Sequence, residues 1–249
     1  MSTGLAIDCA TRGAAVALWQ TGVPLRVSVD SGAGRSRQAE TLLPLIESLL
    51  GEAEVTIAEV GGFAVSIGPG SFTSLRVGVA TLKGLAFGLG EGDDEPSSAA
   101  AVSTLHAGAW AARADGSGPL SAVLDAQRGE WYAAAWPGAS PGESAGDALL
   151  AEGVFTPEEL AQRLPPGARV GGEPKPALRE ALVAAGRADL LWASGSETAL
   201  EARVAAVAEL GRDALERGLA TPAAQLLPRY VRRAEAEAQR LGSPVEPAT

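Results

Sequence analysis

Residues 63–89 form the stretch that most constrains how this chain can fold. Its first five residues are an apolar run between glycines, which is typical of a strand buried on both faces. Gly68-Pro69-Gly70 then forces a turn, and Ser71 stands where a side chain can cap the next helix. That helix carries only Arg76 and Lys83 as charges, so we expect it to lie in a large core or against a partner.

Composition narrows the class of protein and its partners. The chain has 249 residues, of which 46% are hydrophobic and 20% charged, enough for one large domain or two small ones. Its net charge is −10 and it shows no basic stripe, so direct tight binding of nucleic acid is not expected. We see no signal peptide and no membrane span, and a single cysteine, Cys9, fits a reducing compartment. A cytoplasmic protein without membrane contact is therefore predicted.

Apolar periodicity and turn signals predict two halves with the same order of elements, βββαβα. Strands are predicted at residues 4–9, 14–19, 25–29, 63–67, 98–102, 120–125, 129–136, 149–155, 168–170, 190–192 and 226–231. Helices are predicted at residues 38–50, after Ser71 up to 89, 103–114, from 156 onward, 177–185 and 197–217. We place an N-terminal lobe at residues 1–115, a C-terminal lobe at 116–225, and a final strand with a polar tail at 226–249.

An acidic residue ends the first strand of each half. Asp8 is followed by Arg12-Gly13, and Asp125 by Arg128-Gly129. A duplicated α/β unit with an acid at each first hairpin is the plan of the actin-like ATPase (ribonuclease H-like) fold, in which two hairpins grip nucleotide phosphates. Together the two acids could hold Mg²⁺ if a nucleotide completed the site. Because Asp at a strand end often only caps a turn, the structural and functional interpretations both stay open.

The glycine turn has the appearance of a phosphate-binding loop but lacks the specific signatures. Gly68, Gly70 and Ser71 precede a helix N-terminus, where backbone N–H groups can meet an anion. A dinucleotide fingerprint needs glycine where Thr73 stands, and the Gly-Lys-Ser/Thr of a Walker loop is absent. A tight strand-to-helix turn is therefore favoured over a nucleotide grip.

Small residues predict a protein–protein seam on the helix after the turn. Ala80, Gly84 and Gly88 recur every four residues on one face, which would let another backbone approach closely. Packing on the chain's own sheet is the alternative, but the apolar positions exceed what one sheet face needs. The predicted partner-binding residues are Leu42, Leu45, Ile46, Leu49, Arg76, Ala80, Lys83, Gly84, Phe87 and Gly88.

Five motifs spread over nearly the whole chain resemble, in order, those of the bacterial TsaB (YeaZ) family. They are Ala-Ile-Asp-Cys-Ala-Thr at 6–11, Gly-Pro-Gly-Ser-Phe-Thr-Ser-Leu-Arg-Val-Gly at 68–78, Val-Ser-Thr-Leu at 102–105, Asp-Ala-Gln-Arg-Gly-Glu-Trp-Tyr at 125–132 and Pro-Arg-Tyr-Val-Arg at 228–232. The second motif is the most specific.

The resemblance implies the actin-like fold and a cytoplasmic subunit of the system that makes N6-threonylcarbamoyladenosine beside the anticodon of tRNA. Members of this family pair with the catalytic relative TsaD, or with themselves when alone, through helices of the N-terminal lobe, and the ATPase TsaE joins the complex. They contact tRNA only indirectly and are not thought to perform the transfer. The resemblance implies no cofactor of the chain's own and leaves open ATP or ADP with Mg²⁺ at a subunit interface.

Several positions depart from the family pattern and bear on catalysis. The catalytic relative has two metal-binding histidines four residues apart, whereas the only histidine here is His106, and Gln38 stands where many members carry one. Cys9 replaces a common Thr and Ser74 a common Gly, which weakens a phosphate grip. We therefore predict no catalytic residue and no metal site. The residues of a vestigial nucleotide site are Asp8, Thr11, Gly68, Gly70, Ser71 and Asp125.

One alternative function remains open from the sequence. An ATP- and Mg²⁺-dependent phosphotransferase, or a glycopeptidase-like hydrolase, would use Asp8 and Asp125.

Overall fold

The fold is two mixed β-sheets, each with helices on both faces. The computed structural model describes residues 3–32, 38–89, 98–113, 118–138, 148–193 and 199–231. Within these ranges no helix combines the length and apolarity that a membrane crossing needs.

The first sheet has six strands in the order β11-β5-β4-β1-β2-β3. β1 pairs in antiparallel fashion with β2 and in parallel with β4, and β4 pairs in parallel with β5. The strands are β1 (Thr3–Asp8), β2 (Ala14–Gln20), β3 (Val23–Asp30), β4 (Gly62–Gly68), β5 (Ser98–Ser103) and β11 (Thr221–Pro222).

The second sheet repeats this connectivity with five strands in the order β10-β9-β6-β7-β8. Its strands are β6 (Leu120–Asp125), β7 (Trp131–Trp136), β8 (Leu150–Phe155), β9 (Arg169–Gly172) and β10 (Leu191–Trp192). β6 takes the place of β1, with an antiparallel partner on one side and a parallel partner on the other. The predicted duplicated α/β fold is therefore confirmed, and every predicted strand but the last lies within two residues of an observed one.

The last helix of each half packs on the sheet of the other half. The helices are α1 (Gln38–Glu52), α2 (Phe72–Gly88), α3 (Thr104–Ala111), α4 (Pro157–Arg163), α5 (Pro176–Ala184) and α6 (Ala199–Glu216). α1 and α2 cover one face of the first sheet, and α6 covers the other. α4 and α5 cover one face of the second sheet, and α3 covers the other.

The position of α6 differs from the predicted domain limits, which assign it to the C-terminal lobe. It packs on a face of the first sheet that is lined with alanines, including Ala6, Ala17 and Ala64. A Cβ at Gly211 would overlap the Cβ of Ala64, so the helix lies very close to the strands. Small side chains on both surfaces permit this approach, and the order of residues along the chain does not reveal it.

The predicted strand at residues 226–231 is wrong. The short strand that joins the sheet is β11, and residues 226–231 run without strand pairing. Pro228 has no N–H to give to a strand ladder, and the Arg229 N–H instead donates to the carbonyl of Ile67 at 2.7 Å. This C-terminal segment, residues 226–231, therefore crosses the glycine turn. The predicted tail beyond it lies outside the described residues.

Candidate functional site

A cleft of about 810 Å³ lies between the two sheets. The β1–β2 and β6–β7 hairpins, the glycine turn and the C-terminal segment form its walls. Four of the residues predicted for a vestigial nucleotide site line this cleft: Thr11, Gly70, Ser71 and Asp125. Asp8 and Gly68 do not.

Asp8 is bound by the protein's own donors. Its side chain is fully buried, and one carboxylate oxygen accepts the Ala10 N–H at 3.0 Å and the Ser66 hydroxyl at 2.6 Å. The other oxygen accepts Nε–H of Arg203 at 2.5 Å. The prediction that Asp8 contributes to a nucleotide grip is corrected here, because its carboxylate already has partners and does not reach the cleft.

Arg203 joins Asp8 to the other side of the cleft. This α6 side chain is only 1% exposed and donates to Glu173 Oε1 at 2.7 Å and to Thr11 Oγ1 at 2.8 Å. The Thr11 hydroxyl donates in turn to Glu173 at 2.6 Å. Burial by itself would lower the pKa of the Arg203 guanidinium, but Asp8 and Glu173 outweigh it and raise that pKa. The buried guanidinium therefore stays charged, and each of its three nitrogens donates a hydrogen bond.

Sequence reasoning missed both Arg203 and Glu173. One signal for the arginine was available, because Leu200, Val204 and Val207 mark the buried stripe of α6 and Arg203 lies on it. A charged residue within an apolar stripe indicates a buried partner of opposite charge. No comparable local signal identifies Glu173, which follows β9 on a loop.

Asp125 repeats the local turn of Asp8 but remains at the cleft surface. Its carboxylate accepts the Gln127 N–H at 2.8 Å, as that of Asp8 accepts the Ala10 N–H. Its other oxygen pairs with the ammonium of Lys175, just before α5. The similar sequences that follow Asp8 and Asp125 thus form equivalent turns. The cation beside the acid differs, since it is Arg203 at Asp8 and Lys175 at Asp125.

The glycine turn is packed tightly by the backbone around it. A Cβ at Gly70 would overlap the Ala10 carbonyl, and the Ser71 N–H donates to that same carbonyl at 2.7 Å. Gly68 has φ +125°, and a Cβ there would overlap the Arg229 carbonyl. The Ser71 hydroxyl makes no capping bond to the helix backbone and instead accepts the Ser74 hydroxyl at 2.9 Å. The glycines of the turn therefore permit close backbone packing, and the Ser71 N–H is bound to the Ala10 carbonyl.

The C-terminal segment is fastened over this turn. The ring of Tyr230 stacks on Phe72 with centroids 4.6 Å apart, and Arg76 Nε–H donates to the Tyr230 hydroxyl at 2.9 Å. The Arg76 guanidinium also lies 3.9 Å from the centroid of the Phe72 ring. Arg229 forms an ion pair with Glu152 of β8 at 3.0 Å. The segment thus closes one end of the cleft.

Burial divides the predicted partner-binding residues into two groups. On α1, Leu42, Ile46 and Leu49 are buried in the core beneath the helix, and Leu45 packs against that core. The structure corrects the prediction for the three buried leucine and isoleucine side chains, since the stripe that suggested a seam is the face that packs on the first sheet.

On α2, the small-residue stripe is open to solvent. Phe87 is 88% exposed, and a Cβ added at Gly84 or Gly88 would meet nothing within 4 Å. Lys83 is half-buried at the border of the stripe. We call the exposed set the α2 surface, and it consists of Arg76, Ala80, Gly84, Phe87 and Gly88.

Comparison with known proteins places the chain in a family. A family model named "TsaD: tRNA N6-adenosine threonylcarbamoyltransferase" matches residues 35–226. The Escherichia coli (strain K12) protein named "tRNA threonylcarbamoyladenosine biosynthesis protein TsaB" is 31% identical over 161 residues, which are 64% of this chain. The chain belongs to the TsaB (YeaZ) family. A TsaB of Bacillus subtilis (strain 168) is 37% identical over 90 residues.

The matched part covers only a portion of the TsaB relatives. It spans 65% of the E. coli protein and 36% of the B. subtilis protein, which is also 36% of this chain. The structure of YeaZ from Pseudomonas aeruginosa covers more, at 92% of this chain and all of that one, with 28% identity and a TM-score of 0.68. This likeness and the duplicated sheets give the chain the actin-like, ribonuclease H-like fold of the family.

Histidine and acidic side chains do not gather into a metal site in the part of the chain that the structure describes. No group of three His, Cys, Asp or Glu residues there could hold an ion. His106 instead stacks on Trp136 with ring centroids 4.9 Å apart, and burial lowers the pKa of its imidazole.

Proposed function

We propose that this chain is a non-catalytic subunit of the system that makes threonylcarbamoyladenosine in tRNA. The names of its TsaB relatives supply the pathway. The pairing of Asp8 with Arg203 is the observation that carries the non-catalytic role. A carboxylate that acts on a substrate or holds a metal–nucleotide must reach its ligand, whereas Asp8 is fully buried and bound by Ala10, Ser66 and Arg203.

The partner we propose is a TsaD-type catalytic subunit, which would dock on the α2 surface. Phe87 offers an apolar side chain beside open glycines, an arrangement in which a partner helix can pack closely. α2 contains no acidic residue although the whole chain has a net charge of −10, so the surface suits an apolar partner patch with acidic groups. We further propose that TsaE joins this complex in the cytoplasm, that the chain forms a homodimer when alone, and that tRNA contacts it only indirectly.

The role can be tested by reconstituting the modification with TsaD-type and TsaE-type partners. We expect product to form when this chain is present and to be lost when it is omitted. Undiminished product without the chain would contradict the proposal.

The docking site needs its own variant. Gly84→Trp should abolish binding of the TsaD-type partner, because an indole added to a close helix contact overpacks it. Ala177→Trp is the matched control, since Ala177 is exposed on α5 in the other lobe. If Gly84→Trp folds and binds the partner as the control does, the α2 surface is not the docking site.

The alternative, an ATP- and Mg²⁺-dependent phosphotransferase or a glycopeptidase-like hydrolase, requires both Asp8 and Asp125. Only Asp125 lines the cleft, so this geometry does not favour it. Calorimetry with ATP and Mg²⁺ distinguishes the two functions, since we expect no binding to the isolated chain. Micromolar binding that Asp125→Asn removes would favour the alternative. In the proposed complex, any ATP or ADP with Mg²⁺ would bind at the subunit interface.

A further inference from the structure

From here on, the first lobe means the first sheet with α1, α2, α6 and the C-terminal segment, and the second lobe means the second sheet with α3, α4 and α5. Two carboxylates of the second lobe are held in the same way by groups of the first. Glu173, after β9, accepts from the Arg203 guanidinium and from the Thr11 hydroxyl. Glu152, in β8, pairs with Arg229 and accepts from the hydroxyl of Ser103. Each cluster therefore joins one glutamate of the second lobe to one arginine and one hydroxyl of the first.

The arginine of the first cluster is fixed to the first sheet before it reaches across. Arg203 belongs to α6, which packs on that sheet, and its Nε–H is bound to Asp8 at the end of β1. Its Nη1 then donates to Glu173 at 2.7 Å. Because the guanidinium is 1% exposed, moving Glu173 away would leave an unpaired donor in the interior.

The second cluster is anchored to the first sheet by backbone contacts. The Arg229 N–H donates to the Ile67 carbonyl at 2.7 Å, and the Arg229 carbonyl lies against Gly68, where no Cβ would fit. The Arg229 side chain then meets the Glu152 carboxylate, whose side chain is 7% exposed. Ser103, at the end of β5, reaches the same carboxylate. A glutamate of β8 is thus bound to the first lobe from two directions.

We propose that these two clusters act as clamps that hold the lobes in one relative arrangement, so that the cleft does not open and close. Two-lobed proteins that close around a ligand do so by hinge or shear motion at contacts that can slide or reform. Here such a motion would have to separate both charged clusters, and each contains a largely buried partner. The lobes would then present the α2 surface on a rigid body. This inference does not depend on the proposed function, because it concerns the isolated chain.

Distances between spin labels on the two lobes test the clamps. Cysteines placed at Glu47 of α1 and Glu180 of α5 put the labels on exposed helical positions of different lobes, while the native Cys9 is buried. Labelled chain is diluted into unlabelled chain so that only distances within one molecule contribute. We expect a single narrow distance distribution for the unmodified sequence. A broad or double distribution would overturn the proposal, since the lobes would then move with both clamps intact.

Variants of the clamps complete the test. Glu152→Gln combined with Glu173→Gln keeps side-chain volume and removes both carboxylate charges, and we expect the distribution to become about twofold broader. A second variant combines Arg229→Met with Glu173→Gln. It removes the arginine of the second cluster in place of its carboxylate charge, and like the first variant it keeps Arg203. Arg217→Met is the matched control, because it removes an exposed ion pair with Asp213 at the C-terminal end of α6 and should leave the distribution narrow. Distributions that stay narrow in both folded clamp variants would overturn the proposal.

Discussion

The guanidinium of Arg203 lies 2.5 Å from the carboxylate of Asp8, although 195 residues separate the two along the chain. Both side chains are buried, and the pair links α6 to the end of β1. This pairing fills the position where the sequence pattern predicts a nucleotide-binding acid. A cation supplied by the protein therefore neutralises the central carboxylate of the fold.

Loss of Arg203 should be strongly destabilising. Arg203→Met leaves Asp8 buried and unpaired, and we expect it to lower the free energy of unfolding by about 3–5 kcal/mol. Urea unfolding at neutral pH measures the change. The control Arg217→Met breaks an exposed ion pair with Asp213 at the C-terminal end of α6 and should cost less than about 1 kcal/mol. If Asp8→Asn combined with Arg203→Met is as unstable as Arg203→Met alone, the unpaired charge is not the cause.

Two glycine-to-alanine substitutions should act in opposite directions. A Cβ at Gly70 overlaps the Ala10 carbonyl, so Gly70→Ala should destabilise the protein by about 1–3 kcal/mol. A Cβ at Gly84 meets nothing, so Gly84→Ala should stabilise α2 by up to about 1 kcal/mol through helix propensity. Thermal and urea unfolding of both variants provide the comparison. Equal shifts would mean that backbone packing does not explain the glycine turn.

Phe87 should matter for association and not for folding. Because it is 88% exposed, Phe87→Ser should change the free energy of unfolding by less than about 0.5 kcal/mol. On the proposed function, it should weaken binding of the TsaD-type partner by about tenfold or more, as measured by calorimetry. Leu219→Ser serves as the control, since Leu219 is also exposed but follows α6 on the opposite face of the first sheet. Equal affinities for the two variants would count against the α2 surface.

His106 should make stability depend on pH. Burial lowers the pKa of its imidazole below the ordinary value of 6.5, so the unfolded chain takes up the proton more readily than the folded chain. The contribution to stability is present above pH 6.5 and is lost as the pH falls through the lower, folded pKa. As this is the only histidine, proton NMR reports the titration of one imidazole directly. His106→Phe should remove this component from urea unfolding curves, and an imidazole pKa at or above 6.5 would contradict the prediction.

Glu152 should make stability depend on pH in the opposite direction. Burial raises the pKa of its carboxyl above 4.5, with Ser103 and Arg229 opposing the rise only in part. The folded state therefore binds the proton more readily, and the contribution to stability is present below pH 4.5 and lost as the pH rises through the folded pKa. The stability of Glu152→Gln relative to the unmodified chain should thus increase over that range. Urea unfolding between pH 4 and pH 7, expressed as the difference between the two proteins at each pH, checks the sign.

Local order was largely predictable from the residues themselves. The apolar run, glycine turn and helix at residues 63–89 appear as β4, the turn and α2, because strand and helix signals act over a few neighbouring residues. The repeated Asp turn at Asp8 and Asp125 also follows from local chemistry, since each carboxylate binds an N–H two residues later. The duplication also predicts that the two sheets share one order of strands, as they do.

Tertiary packing decided which side chains remain available. Leu42, Ile46 and Leu49 have the same apolar character as Phe87, but only the sheet beneath α1 decides that they are buried while Phe87 is exposed. In the same way, the packing of α6 on the first sheet brings Arg203 to Asp8, and the C-terminal segment that crosses the glycine turn brings Arg229 to Glu152. The sequence by itself therefore determined the elements and their duplication, through interactions between near neighbours. Which acids are neutralised and which surface stays open depended on contacts between residues far apart in the chain, and these exist only once the two sheets have packed together.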